Sequence, residues 1–326
     1  MSQKLHPPAV PGVPSLEDSY SWLTASLPSR LAETARALPR RLGLGTAGEG
    51  GWTDFVGLHP NRELPLYAAQ EIEEDTGGLC LSPAELHRFV RAHHVGGFAW
   101  LLRDRLADGQ VPADEQLMEL ARRYTEGWRD ALAEATGDAG LTETVMADAT
   151  ARWRRGTAAE RSDANRGTLS PAAYAGMVRD KLAWVGTPSR ALLLSCGGAT
   201  RLHAFREAHD LFLLGLQAVD DVIDREEDGA RRGTDVPSWL GCSPGALLRV
   251  APKLVARAAD RAASAGFSWI GAWLENFAHA ILAWRIDGDA VRDEVEAIGL
   301  ARELEAAVLA EDGLAVGRAM RVPVGA

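Results

Sequence analysis

The chain has 326 residues, 46% hydrophobic and 25% charged, which is ordinary for a protein with a full apolar core. A net charge of -10 without any long basic run argues against nucleic acid and anionic membrane as partners. Three widely spaced cysteines, Cys80, Cys196 and Cys242, suit neither a disulfide framework nor a zinc module and point to a reducing cytoplasm.

Residues 1–14 carry four prolines and little periodicity, so they read as a mobile tail, and no charged-then-apolar signal stands among them. From Ser15 to residue 326 the pattern is helical and reads as one domain. Residues 40–60 are glycine-rich and read as a loop. Ser82-Pro83-Ala-Glu85 is a capping box with proline at the first helical position. Ser170-Pro171 and Ser243-Pro244 repeat the start signal, and Val111-Pro112 and Thr187-Pro188 resemble it. Apolar residues recur every three or four positions through 83–107, 113–135, 172–184, 200–224, 246–264, 268–285 and 290–310. Strand-like alternation is absent, and the longest apolar runs, such as Leu211 to Leu216, fall far short of the ~20 residues of a membrane span. The expected fold is an all-α, single-domain antiparallel bundle.

Two acidic clusters stand at expected helix ends. The first is Asp104-Arg-Leu-Ala-Asp108. The second is Asp220-Asp221-Val-Ile-Asp224-Arg-Glu-Glu-Asp228, and Gln217 extends it one turn back. Carboxylates three or four residues apart share one face of a helix. Gly109 and Gly229 follow the clusters, as glycine commonly follows a helix C-terminus. Anions there cost about 0.3–1 kcal/mol each against the macrodipole, so a divalent cation is the natural compensation. Five helices, near 82–108, 112–136, 142–158, 170–196 (with a break at Gly186-Thr187-Pro188) and 200–228, with short connections, would run the two acidic helices parallel and bring both clusters to one mouth.

Opposed aspartates suit Mg²⁺, which keeps waters and bridges carboxylates to phosphates. A di-iron bundle needs Glu-x-x-His pairs, and no histidine here has a glutamate three residues before it. Zinc lacks nearby histidine or cysteine partners. A diphosphate would also need cations, and Lys181, Arg231 and Arg232 are best placed by sequence. Trp100 lies one turn below Asp104, and it and Trp184 are candidates for a cavity wall. Phe98 is turned about 200° from Trp100. His93-His94 beside Gly96-Gly97 reads as a close helix contact, and Cys196 before Gly197-Gly198 as a helix end. The segment 229–243, with Arg231, Arg232, Gly233 and Pro237, reads as a loop that could close as a lid.

Gln217-Ala-Val-Asp220-Asp221-Val-Ile-Asp224 resembles the second aspartate-rich motif of the trans-isoprenyl diphosphate synthases, where glutamine precedes D-D-x-x-D. Asp224-Arg-Glu-Glu-Asp228-Gly-Ala-Arg-Arg232 resembles the second motif of squalene and phytoene synthases, and Asp104 to Asp108 resembles their first. Tyr174-Ala-Gly-Met-Val-Arg-Asp-Lys181 resembles the segment that carries a diphosphate-binding lysine. The likeness covers roughly residues 80–240. It implies an isoprenoid-synthase bundle with a central apolar cavity and an allylic prenyl diphosphate as substrate. It also implies Mg²⁺ on Asp104, Asp108, Asp220, Asp221, Asp224, Asp228 and Gln217. Diphosphate contacts would come from Lys181, Arg231 and Arg232. A homodimer is compatible with it.

The departures narrow this reading. Elongating synthases carry a basic Gly-Gly-Lys-Arg-type segment for their second diphosphate. The matching stretch here, Leu42-Gly-Leu-Gly-Thr-Ala-Gly-Glu-Gly-Gly-Trp52, has no basic cluster. Their first motif continues into Arg-Arg-Gly, whereas Gly109-Gln110 follows Asp108. The ionising half is kept and the acceptor half is not, as expected of a class I terpene cyclase. The alternatives are prenyl transfer, by elongation or head-to-head condensation, and a non-catalytic synthase-like partner subunit.

Overall fold

The computed structural model describes residues 10–42, 52, 63–77, 81–164, 168–282 and 290–319, without the side chains of 76, 163–164, 231–232 and 311–319. The helices in chain order are α1 (Leu16–Thr24), α2 (Ser29–Arg41), α3 (Leu64–Thr76), α4 (Pro83–Ala107), α5 (Glu115–Thr136), α6 (Ala139–Ala164) and α7 (Pro171–Lys181). They continue as α8 (Thr187–Ser195), α9 (Leu202–Ile223), α10 (Arg225–Arg232), α11 (Val236–Leu240), α12 (Pro244–Ser264), α13 (Ser268–Ile281) and α14 (Ala290–Ala319). A 3₁₀ turn, Gly198–Arg201, precedes α9. Among the described residues there is no strand, and no helix is long and apolar enough to cross a membrane.

The chain divides into two compact units. The first comprises Pro7–Thr150 and Trp184–Ala199, and the second is built mainly from Ala151–Ala183 and Thr200–Ala326. In the first, α4 is the central element. Its start follows from the capping box: Ser82 Oγ accepts from Glu85 N at 3.3 Å, and Glu85 Oε2 accepts from Ser82 N at 2.7 Å. Phe89, Val95, Phe98, Trp100 and Leu102 of α4 are all essentially inaccessible. Each such side chain contributes roughly 1.5–3 kcal/mol on burial. α5 packs along α4 with a one-faced stripe, Leu117, Leu120, Ala121, Tyr124, Trp128 and Leu132. The contact is close at Gly96, where a Cβ would stand 2.6 Å from the indole nitrogen of Trp128. That bears out the contact read from His93-His94-Val-Gly96-Gly97. His94 is tied to α1 by a 2.9 Å hydrogen bond between its Nδ1 and Ser19 Oγ.

In the second unit α12 packs against α9, α13 and α14. Gly215 of α9 allows the approach: a Cβ there would stand 2.8 Å from Val255 and 3.0 Å from the Ala251 carbonyl of α12. α7 packs on α9 and α14. Gly156 of α6 sits against the backbone of α7, 2.5 Å from the Lys181 nitrogen if a Cβ were present. α11 is held by a 2.9 Å bond from Leu169 N to the Trp239 carbonyl.

Three sequence readings change. Pro112 lies before α5, whose cap is Asp114, because its carboxylate accepts from Leu117 N at 2.7 Å. The helix expected at 142–158 runs from 139 to 164. The 170–196 helix is broken where Gly186-Thr187-Pro188 led one to expect, but the break, at residues 182–186, is complete enough to make two helices, α7 and α8. Among the described residues six helices therefore run from the first acidic one to the second, not five, so helix order no longer implies that the two run parallel.

Candidate active site

Helix α4 ends as its sequence demands. Asp108 is the cap, its amide donates to the Asp104 carbonyl at 2.8 Å, and Gly109 takes the left-handed conformation at φ 69°. Asp104 and Asp108, one turn apart, are both half-buried.

The second cluster differs from its sequence reading. α9 stops at Ile223, Asp224 is the junction, and α10 begins at Arg225. Asp228 thus lies in a first turn with Glu226 and Glu227, where the helix dipole favours acids instead of opposing them. Gly229 sits inside α10, and the left-handed glycine is Gly233, φ 77°. The i→i−4 backbone ladder nevertheless crosses the junction, Asp224 N to Asp220 O and Asp228 N to Asp224 O, each 2.9 Å. Asp220, Asp224 and Asp228 therefore still follow one another at one-turn intervals, exposed, half-buried and buried in turn.

Asp221 is turned about 100° from Asp220 and faces inward. It is 8% exposed. Tyr174 Oη, wholly buried on α7, donates to its Oδ2 at 2.6 Å. Gln217 Nε2 donates to its Oδ1 at 2.8 Å and also to Asp220 Oδ2 at 3.2 Å. Burial pushes the Asp221 carboxyl up to about 7, helped by the charges of Asp220 and Glu160 and opposed by the bonds from Tyr174 and Gln217. Burial likewise holds the Tyr174 phenol well above its ordinary value, reinforced by Asp221.

Lys181 closes α7 and pairs with Glu160 of α6 at 2.9 Å, both side chains largely buried. Its neighbour Asp180 gathers Arg152 at 3.1 Å and Arg155 at 2.9 Å, and Arg152 also reaches Asp210 at 3.5 Å. Arg231 and Arg232 form the last turn of α10, and their side chains lie outside the described residues. The loop expected at 229–243 is mostly helix. Asp235 caps α11 by accepting from Ser238 N at 2.8 Å, and Val236, Pro237 and Trp239 are buried. A wholly mobile lid does not fit this anchoring.

In the first unit Trp100 is 1% exposed. It stacks on the half-buried Trp184 at 6.3 Å and 18°, and meets Trp128 edge-on at 5.8 Å. The Arg103 guanidinium covers its ring at 5.3 Å. Phe98 points elsewhere, as helical spacing requires, onto Trp52 at 4.5 Å and Tyr20 at 5.0 Å. Cys196 caps α8 before Gly197, φ 76°, and Cys80 lies outside the described residues.

Sequence reasoning missed Tyr174 and Glu160 as partners of the acidic cluster and of Lys181. One signal was present: Tyr174 is seven residues before Lys181, two turns along the same face. Among the described residues no group of three or more His, Cys, Asp or Glu side chains stands ready to hold a metal. With Asp221 turned inward, the exposed Asp220 and half-buried Asp224 remain as hard oxygen donors. That set suits a cation such as Mg²⁺, which fills most of its shell with water and phosphate oxygens.

No protein-family model matches the chain. No curated protein sequence matches it either. Among solved structures it is similar to the polyprenyl synthetase from Streptomyces coelicolor A3(2), with 18% identity, a TM-score of 0.52, and coverage of 91% of this chain and 96% of that one. The chain therefore has the all-α fold of an isoprenoid synthase, as its aspartate-rich segments led one to expect.

Proposed function

We propose that the chain is a Mg²⁺-dependent class I terpene synthase that ionises an allylic prenyl diphosphate and closes the resulting cation. The observation that carries this reading is an acidic helix end, Asp220 and Asp224, on a chain with the fold of a polyprenyl synthetase. Asp104 and Asp108 supply a second carboxylate pair at the end of α4. Asp220 and Asp224 would hold metal, with Asp228 extending their stripe, and Asp104 and Asp108 would offer their own carboxylates within the other unit. Bound there, Mg²⁺ supplies charge stabilisation to a departing diphosphate. Lys181, Arg231 and Arg232 would add cationic contacts where negative charge develops. The half-buried Trp184, backed by the stacked Trp100, would offer an aromatic face worth about 0.5–2 kcal/mol to a nearby cation. An apolar interior would exclude the water that quenches such a cation.

Prenyl transfer is the second reading, favoured by the structural similarity to a polyprenyl synthetase. The missing basic segment at residues 42–52 weighs against elongation. One experiment separates them. Incubation with geranyl, farnesyl or geranylgeranyl diphosphate and Mg²⁺, with and without isopentenyl diphosphate, is followed by pyrophosphate assay and mass spectrometry. Cyclic hydrocarbon or alcohol without isopentenyl diphosphate supports the cyclase. A longer linear diphosphate formed only with it supports transfer. No pyrophosphate release from any of them would sink both.

A further inference from the structure

The neighbours Asp220 and Asp221 have separate fates, and a residue on another helix separates them. Asp221 takes the phenol of Tyr174 on one oxygen and the amide of Gln217 on the other. The same Gln217 nitrogen donates its second hydrogen to Asp220. An amide NH₂ has two hydrogens, so this one is fully used, one for each carboxylate. We propose that Tyr174 is a positioning residue for the metal-facing carboxylate of Asp220, acting from α7 through Asp221 and Gln217.

The logic is one of competition. Without the phenol, one buried oxygen of Asp221 loses its donor from α7, and a buried acceptor left unmade is expensive. The carboxyl would then turn toward Gln217 and draw both amide hydrogens, or swing out toward the cation. Either way Asp220 loses its bond from Gln217. The phenol also ties the helix that ends in Lys181 to the helix that carries the acidic stripe, because Tyr174 and Lys181 share α7. The inference rests on the proposed metal-dependent reading.

The test is Mn²⁺ binding to the full chain in the presence of pyrophosphate, followed by electron paramagnetic resonance and by calorimetry, with circular dichroism to confirm folding. Tyr174→Phe should weaken Mn²⁺ binding about ten- to a hundredfold, the usual loss on removing an outer partner of a ligand. Gln217→Met, which removes both hydrogens at similar size, should do the same, and the double variant should be no worse than either alone. Asp221→Asn should cost less than Asp220→Asn, because the phenol can accept where it donated. Absence of Mn²⁺ binding by the wild type would overturn the functional reading and this inference together. Wild-type binding that survives both Tyr174→Phe and Gln217→Met would overturn this inference alone. So would an Asp221→Asn loss as large as that of Asp220→Asn, since Asp221 would then be a ligand itself. If Tyr174→Phe does not fold, Gln217→Met decides.

Discussion

A helix turns about 100° per residue, so two adjacent aspartates cannot face the same medium. At Asp220-Asp221 the outward carboxylate is exposed, while the inward one is held by Tyr174 and Gln217. The doublet was legible in the sequence, but the choice between its members was not, since it depends on a tyrosine 47 residues away. The consequence for activity is direct. Asp220→Ala, Asp224→Ala and Asp104→Ala should each lower turnover by orders of magnitude with the fold intact, and excess chelator should stop wild-type turnover. Full activity in chelator would remove the metal from the mechanism. Trp100 invites a two-part measurement. Truncating a fully buried tryptophan costs about 3–5 kcal/mol, so Trp100→Ala should show a much lower thermal midpoint. If Trp100 also shapes the reacting space, the surviving enzyme should accept a longer substrate or release less cyclised products. Lost stability with an unchanged product pattern would leave it as core alone. Trp273 packs on Phe212 at 4.9 Å and is the control, expected to lose stability only.

Elements were legible wherever the signal was local. Ser82, Ser170 and Ser243 each accept from the backbone amide three residues on, and α4, α7 and α12 start there. The end of α9 escaped notice because its backbone ladder continues past Asp224, so apolar spacing and acidic spacing both run on through the break. Two measurements probe helix ends and helix contacts. Hydrogen bonds from Ser82 hold the Glu85 carboxyl below its ordinary 4.5. A depressed carboxyl stabilises the fold above about pH 4.5, and that contribution disappears as pH falls through the folded value. The wild-type thermal midpoint should therefore drop on acidification below pH 4.5, and Ser82→Ala should lower it at pH 7 and flatten that acid dependence. Equal slopes in the two proteins would refute the account. At Gly156 the clash is with backbone, which cannot give way as a side chain would. Gly156→Ala should cost about 1–3 kcal/mol by forcing α6 and α7 apart. It should also loosen the Lys181–Glu160 pair, which unfolding curves and pyrophosphate affinity would report separately.

At the scale of the whole chain, composition and periodicity were enough for an all-α reading, and the aspartate spacing was enough for the fold type that the similar structure bears out. Helix order was not enough for directions, because the break expected near Gly186-Thr187-Pro188 makes two helices of what was counted as one. Charge matters most at this scale. A chain of net charge -10 that sets aspartates at helix ends gives up stability to self-repulsion and to unfavourable dipoles. A ligand that binds only the folded form returns stability as RT ln(1 + [L]/Kd), about 2.7 kcal/mol at a hundred times Kd. Mg²⁺ alone would relieve part of the repulsion, and pyrophosphate alone would add to it. If Asp220 and Asp224 hold the metal as proposed, the two together would complete each other, because phosphate oxygens would fill the coordination positions that two carboxylates leave. The thermal midpoint should thus rise by several degrees with both present, rise little with Mg²⁺ at matched ionic strength, and stay level or fall with pyrophosphate alone. In Asp220→Asn the joint rise should shrink or vanish. A midpoint indifferent to the combination would mean that these carboxylates are a solvated face, and the metal-dependent reading would fall with it.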